Sequence, residues 1–295
     1  MQVGYIGLGV MGGALAERLL VSRPVKVFDL NEEAVQRLTQ AGATTAPSAA
    51  GLAEECDVIF LCLPRSRDVR AVIFGENGLA RGLRPGTIIV DQTSGDPNET
   101  RKMAAELAAM DIRMVDAPVS GGAAGAKAGT IAIMVGGAND TVAELRPVFE
   151  QISPNIFECG DIGAGQVMKL INNMVSTCNR LAMLEGVTMG QRNGLDLSVM
   201  CDVLNAGGAR SKASENMLPA IVEGVPDSFF LLQLMLKDLN LAAALGTETG
   251  VPLQFGQLAR GMLQAASNTL GPEANLFDIS DYIATEAGTS FKRAT

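Results

Sequence analysis

No histidine occurs anywhere in this 295-residue chain. Its absence excludes serine–histidine and cysteine–histidine nucleophile pairs, zinc sites built on imidazole, and redox enzymes that pass protons through a histidine. Proton chemistry is left to Lys, Asp, Glu, Tyr or Cys. No block of lysines or arginines is present either, and the net charge is −9, which disfavours nucleic acid and anionic membrane as partners. Any anionic substrate must then be met by a few placed cations. The cysteines Cys56, Cys62, Cys159, Cys178 and Cys201 lie far apart, without the close pairing of a zinc knuckle or redox motif; they read as buried free thiols, and no metal site is expected. No uncharged run is long enough to span a bilayer, and "MQVGYIGLG" runs straight into folded structure with no basic leader, so a cytoplasmic protein is expected.

What is present, 47% hydrophobic and 19% charged residues, suits one large domain or two ordinary ones. From residue 2 to about 160, short apolar or β-branched runs alternate with helix-length segments. The strand candidates are "QVGYIG", "VKVFD", "DVIFLCLP", "TIIVDQT", "RMVDAPV", "IAIMVGG" and "NIFECG", with helices expected around 10–22, 31–41, 66–73, 97–110 and 139–151. Runs this continuously apolar suit strands covered on both faces, so the expected fold is α/β, a Rossmann-type doubly wound, mainly parallel sheet. After Cys159 the pattern suggests only helices. The stretch from about Gly165 to Asn193 has no proline and predicts one long helix joining the sheet domain, residues 1–162, to an all-α domain, residues 163–295. Further helices are expected at 197–205, 213–222, 231–249, 252–269 and 278–286, with loops at "NAGGAR" and "VEGVPDS".

The first strand ends in "GLGVMG", placing Gly7, Gly9 and Gly12 at G-x-G-x-x-G spacing, with Leu8 and Met11 between them. Between a strand and a helix these glycines allow a tight turn, close approach to a pyrophosphate, and close helix–strand packing. Asp29 ends the next strand about twenty residues on, where a carboxylate accepts hydrogen bonds from ribose hydroxyls and repels a 2′-phosphate. The pattern therefore favours NAD over NADP; the competing reading of Asp29 is a helix cap for "DLNEEA". On the long helix, Lys169, Asn172, Asn173, Ser176 and Arg180 form one polar stripe. A solvated face is the ordinary reading of such a stripe, but two adjacent asparagines add little to an exposed face, and the wall of a hydrogen-bonding cleft explains them better.

Four ordered blocks, "GYIGLGVMG", "DAPVSGG" at 116–122, "GAGQVMKLINNM" at 163–174 and "LKDLNLA" at 236–242, resemble the β-hydroxyacid dehydrogenases, a family that includes 3-hydroxyisobutyrate dehydrogenase and tartronate semialdehyde reductase. The resemblance covers nearly the whole chain. It implies Lys169 as general acid/base and Asn173 as a residue that holds substrate, with Asn172 beside it. It implies substrate contacts from Ser120, Gly121, Gly122 and Phe230. Cofactor contacts are implied for Leu63 and Pro64, Thr93 and Ser94, and Lys237. The implied reaction is NAD-dependent interconversion of a small β-hydroxy acid and its semialdehyde. The double glycine of "NAGGARS" at 205–211 looks closer to tartronate semialdehyde reductases, and Arg210 is either a contact for a second polar group or a surface arginine. A 6-phosphogluconate dehydrogenase is disfavoured because that family places a histidine beside the asparagine, and an imine reductase because Lys169 and Asp29 are both present. A non-catalytic NAD-binding scaffold is the remaining alternative. A free lysine titrates near 10.4, so a base at neutral pH needs that value lowered by burial or a neighbouring cation such as Lys237. The apolar C-terminal helices predict a homodimer or homotetramer.

Overall fold

The computed structural model describes residues 1–226 and 230–291. Residues 227 and 228 of the expected "VEGVPDS" loop lie outside the described residues. The chain divides into two compact units, Met1–Lys169 and Leu170–Thr295, and the division falls inside a helix rather than in a linker.

The first unit is built on a nine-stranded sheet. Its strands are β1 (Val3–Ile6), β2 (Val25–Phe28), β3 (Thr44–Thr45), β4 (Val58–Leu61), β5 (Ile88–Asp91), β6 (Arg113–Asp116), β7 (Val119–Ser120), β8 (Ala132–Gly136) and β9 (Ile156–Gly160). The spatial order begins β3-β2-β1-β4-β5-β6, all parallel, which is the order of a doubly wound dinucleotide-binding sheet. Beyond β6 the sheet turns antiparallel: Asp116 pairs with Gly136 and Val119 with Ile133, and β9 then adds parallel to β8. Helices α1 (Val10–Leu20), α2 (Glu32–Gln40), α3 (Ala49–Glu55), α4 (Ser66–Phe74), α5 (Pro97–Ala108), α6 (Gly122–Ala128) and α7 (Asn139–Ile152) connect the strands.

Strands β1, β4 and β5 are buried at every position because helices cover both faces. Val3, Tyr5, Phe60, Val90 and Phe149 join one apolar cluster, while Ile6, Ile59, Leu61, Ile89 and Leu107 join another. Adjacent strand residues thus feed opposite layers, as a period of two requires. Tyr5 stacks on Phe60 at 5.8 Å between ring centroids, and Phe149 meets Phe60 edge-on at 6.2 Å.

Helix α8 (Ala164–Arg192) runs for 29 residues, or roughly 43 Å at 1.5 Å per residue. In the second unit α9 (Leu197–Ala206), α10 (Leu218–Glu223), α11 (Leu232–Thr249), α12 (Gln254–Leu270) and α13 (Ile279–Glu286) surround a core of Leu184, Val187, Leu218, Leu239, Leu263 and Ile279. The helix expected at 213–222 has a π-helical first turn, Ala213–Met217, before α10. No helix among the described residues is long and apolar enough to cross a membrane.

All five cysteines are free. Only Cys56 and Cys201 are buried, and Cys62, Cys159 and Cys178 are half-buried, so the expectation of buried thiols holds for two of them.

Candidate active site

Apart from Lys237, which is on α11, the residues expected to hold the cofactor lie off the C-terminal ends of β1, β2, β4 and β5, where the strand order reverses between β1 and β4. Ligands of open α/β sheets bind at such a point. Gly7 has φ +93°, in the left-handed region that favours glycine, and a Cβ there would stand 2.3 Å from the Cys62 carbonyl oxygen and 3.0 Å from the Leu63 side chain. The loop after β1 is thereby pressed against the start of the Leu63–Pro64 segment. At Gly12 a Cβ would stand 1.9 Å from the Gly7 carbonyl oxygen, whereas at Gly9 it would meet nothing within 4 Å. One glycine allows helix α1 to touch the turn; the other leaves room in front of it.

Gly9 caps α1 without a side-chain hydrogen bond, which leaves the first N–H groups of the helix directed at that room. Beside it lies a cleft of about 560 Å³ lined by Leu8, Gly9, Val10, Asp29, Asn31, Arg37, Lys127 and others. Asp29 accepts from Leu8 N at 2.5 Å and from Asn31 N at 2.8 Å. The cap of α2 is Asn31, whose side chain accepts from Glu33 N and Ala34 N. Asp29 is therefore not the helix cap that its sequence context also allowed. Open space at Gly9, uncapped amides on α1 and a carboxylate at the end of β2 fit the pyrophosphate and ribose of a dinucleotide.

Thr93 ties two more expected residues together, since its Oγ1 accepts from Leu63 N at 3.0 Å and its own N–H donates to Asp91 at 2.9 Å. Ser94 follows it, beyond the end of β5. Ser120 ends β7, and Gly121 and Gly122, with φ +138° and +70°, form the turn into α6. Ala123 and Lys127 of that helix line the same cleft as Asp29.

Lys169 is only 8% exposed and Asn173, one turn on, 4%, while Met168 and Ile171 on the same helix are 38% and 44% exposed. The polar face of α8 is turned inward and part of its apolar face outward, the reverse of an ordinary surface helix. Ser176 and Arg180 are half-buried. In the second unit Asn173 Nδ2 donates to Asp238 Oδ2 at 2.6 Å, Asn172 Nδ2 donates to Asn173 Oδ1 at 3.1 Å, and Lys237 Nζ lies 3.1 Å from Asp238 Oδ1. Asp238 is 1% exposed. It had no assigned role in the sequence; the available signal was a carboxylate among the leucines of "LLQLMLKDLNLA". Phe230 packs half-buried against the helical core. Arg210 is an exposed partner of Glu215 at 2.6 Å, which is the surface reading.

A second carboxylate missed in the sequence is Asp116, at the end of β6 and fully buried. It accepts from Gly163 N at 2.6 Å and Gln166 N at 2.7 Å, the entry to α8. Burial pushes its carboxyl up to about 6, against the pull of those two amides and of Arg101 on α5. The half-buried Cys159 thiol on β9 is raised by its own burial first and by Asp116 second. An acid raised in the fold binds its proton more tightly folded than unfolded. Its stabilisation is complete below the unfolded value and lost as pH rises through about 6. The stability of the wild type relative to Asp116→Asn is thus expected to grow by about 2 kcal/mol between pH 7 and about pH 4.5, by chemical denaturation. A gap that stays constant or narrows on acidification contradicts this.

Two family descriptions match the chain: the NAD binding domain of 6-phosphogluconate dehydrogenase over residues 2–160, and the NAD-binding domain of NADP-dependent 3-hydroxyisobutyrate dehydrogenase over 163–283. A probable mitochondrial 3-hydroxyisobutyrate dehydrogenase of Dictyostelium discoideum is 38% identical over 265 residues, 87% of this chain and 83% of that protein. An NAD-dependent L-serine dehydrogenase of Pseudomonas aeruginosa is 36% identical, covering 88% and 89%. Among solved structures, a Mycobacterium tuberculosis 3-hydroxyisobutyrate dehydrogenase with L-serine superposes with a TM-score of 0.84 at 30% identity, over 97% of this chain and 99% of that one.

Proposed function

The chain belongs to the β-hydroxyacid dehydrogenase family and is an NAD(P)-dependent dehydrogenase, and from that premise we propose that it interconverts a small 3-hydroxy acid and its semialdehyde with Lys169 as the proton carrier. The observation that carries this reading is a lysine buried to 8% exposure on the inward face of α8, in a chain without histidine. Bound NAD would supply the hydride acceptor. The chain's own residues do the rest. The glycine turn and the α1 amides hold the pyrophosphate, and Asp29 holds the ribose hydroxyls and turns away a 2′-phosphate. Leu63, Pro64, Thr93 and Ser94, beyond the ends of β4 and β5, contact the cofactor, and Lys237 is the further cofactor contact. In the direction of oxidation the Lys169 amine takes the hydroxyl proton as hydride leaves the same carbon; in reduction the ammonium returns it and stabilises the forming alkoxide. Ser120, Gly121 and Gly122 hold the substrate's carboxylate with their turn, and Asn172, Asn173 and Phe230 complete its surroundings. Asp238 fixes the Asn173 amide by accepting from its Nδ2.

The substrate class is a carboxylic acid with a primary alcohol on the β carbon: 3-hydroxyisobutyrate, 3-hydroxypropionate, serine or glycerate. Gly207 and Gly208 support the glycerate/tartronate semialdehyde pair as the alternative within this class. A panel of these acids at mildly alkaline pH, with NAD+ and NADP+ run side by side, decides it. One acid is expected to dominate, and NAD+ to be preferred by at least roughly tenfold in kcat/KM. A preference for NADP+ would contradict the role given to Asp29.

We also propose a homodimer or homotetramer, working in the cytoplasm. Phe255 and Leu258 on α12 are 80% and 63% exposed, and Val199 and Val203 on α9 are 57% and 63% exposed. Each pair shares one helix face, an arrangement common at subunit interfaces. Sedimentation as a monomer at micromolar concentration would remove this proposal.

A further inference from the structure

Gln166 lies one turn before Lys169 on α8 and is completely buried. Three of its polar atoms are tied to the strand ends: Oε1 accepts from Gly95 N at 2.8 Å, Nε2 donates to the Thr93 carbonyl at 2.7 Å, and its main-chain N donates to Asp116 Oδ2 at 2.7 Å. Only an amide side chain both accepts and donates in this way; a glutamate would set an oxygen against the Thr93 carbonyl. Thr93 in turn accepts from Leu63 N. A continuous chain of hydrogen bonds therefore runs from the loop after β4, through the loop after β5, to the first turn of the helix that carries Lys169.

The slot that receives Asp116 is shaped for it. A Cβ at Gly136 would stand 2.6 Å from one carboxylate oxygen, and a Cβ at Gly165 2.8 Å from the other and 2.3 Å from the Met134 carbonyl oxygen. Buried polar groups tied on every side fix a unique arrangement, and breaking one member leaves the rest unsatisfied.

We propose that Gln166, seated by Asp116, is a positioning residue for the reaction: it locks the first turn of α8 to the Leu63 and Thr93 loops and so sets where the Lys169 amine stands relative to the bound nicotinamide. The inference rests on the reading of Lys169 as the proton carrier. Gln166 touches neither substrate nor cofactor in this account. Its effect passes through the helix, for which a displacement of about 1 Å at the reacting groups is worth on the order of 100-fold in rate.

The test compares wild type, Gln166→Met, Gln166→Glu and Lys169→Ala, with NADH affinity and site number measured by fluorescence titration and kcat expressed per NADH-binding site. A purely structural role lowers the number of sites and leaves the rate per site unchanged. The positioning role predicts that Q166M keeps its NADH affinity within about threefold but loses roughly 100-fold in kcat per site, with KM for the acid little altered. Q166E, which keeps the acceptor for Gly95 and the side-chain volume, should fall between the two, and it carries the test if Q166M binds no NADH. Rates per site within threefold of wild type in these variants, while K169A is inactive, overturn the positioning role and leave Lys169 standing. An active K169A overturns both.

Discussion

Lys169→Ala is expected to lower kcat by roughly 10²- to 10⁴-fold, the usual contribution of a placed general acid/base, while NADH affinity stays within about threefold. A chain without histidine has few groups to carry a proton. Structure then narrows the choice: Lys169 is 8% exposed on the helix whose first turn is tied to the Thr93 segment through Gln166. Because the amine acts on the proton in flight, its loss should reduce kcat and kcat/KM together and leave cofactor binding alone. A parallel loss of NADH binding would assign the lysine a binding role instead.

The second large effect separates two glycines that look alike in sequence. Gly12→Ala would put a Cβ 1.9 Å from the Gly7 carbonyl oxygen and 3.0 Å from Cys62 Cβ, so α1 must move off the turn. Overpacking of this kind costs about 1–3 kcal/mol, and the displaced helix should also weaken NADH binding by tenfold or more. Gly9→Ala is different. Gly9 has φ −62°, which alanine adopts, and its Cβ would meet nothing within 4 Å. That variant should fold with unchanged stability and still lose NADH affinity, because its methyl group fills the space proposed for the pyrophosphate. Thermal denaturation alongside NADH titration reads both. Equal NADH affinity in G9A and wild type would remove the pyrophosphate from this turn.

What could be read from sequence depended on how local the determining physics is. The dinucleotide turn was legible because glycine spacing, the strand before it, the helix after it and Asp29 all lie within thirty residues. The seven apolar runs marked as strands are all present. "RMVDAPV" breaks at Ala117–Pro118 into β6 and β7, since proline supplies no ladder donor. The two-residue β3 was invisible, being an exposed Thr-Thr pair without alternation. Helices α3 and α6 escaped because seven residues of Ala, Gly and Glu or Lys, with Leu52 the one large apolar side chain, carry no 3.6-residue apolar pattern. The long helix was visible from its lack of proline, and its polar stripe from i, i+3, i+4 spacing.

The adjacent asparagines pointed to a cleft wall, but the partners of that stripe were not in the helix itself. Asn173 meets Asp238 sixty-five residues away, Gln166 meets Thr93 seventy-three away, and Asp116 meets Gly163 forty-seven away. Such contacts follow from the assembled fold. Asp116 was quoted inside "DAPVSGG" yet had no assigned work, because the amides it caps belong to a distant segment.

Hydride transfer from the β carbon of a small hydroxy acid to NAD+ is the reaction proposed for this chain. Its most direct measurement uses the best acid of the panel carrying two deuterons on that carbon, with the reduced cofactor analysed by mass spectrometry and proton NMR. One deuteron is expected at nicotinamide C4 and the other retained on the semialdehyde, with none exchanged into water. Reduced cofactor without deuterium, or no reduction by any acid of the panel while NAD+ binds, would contradict it.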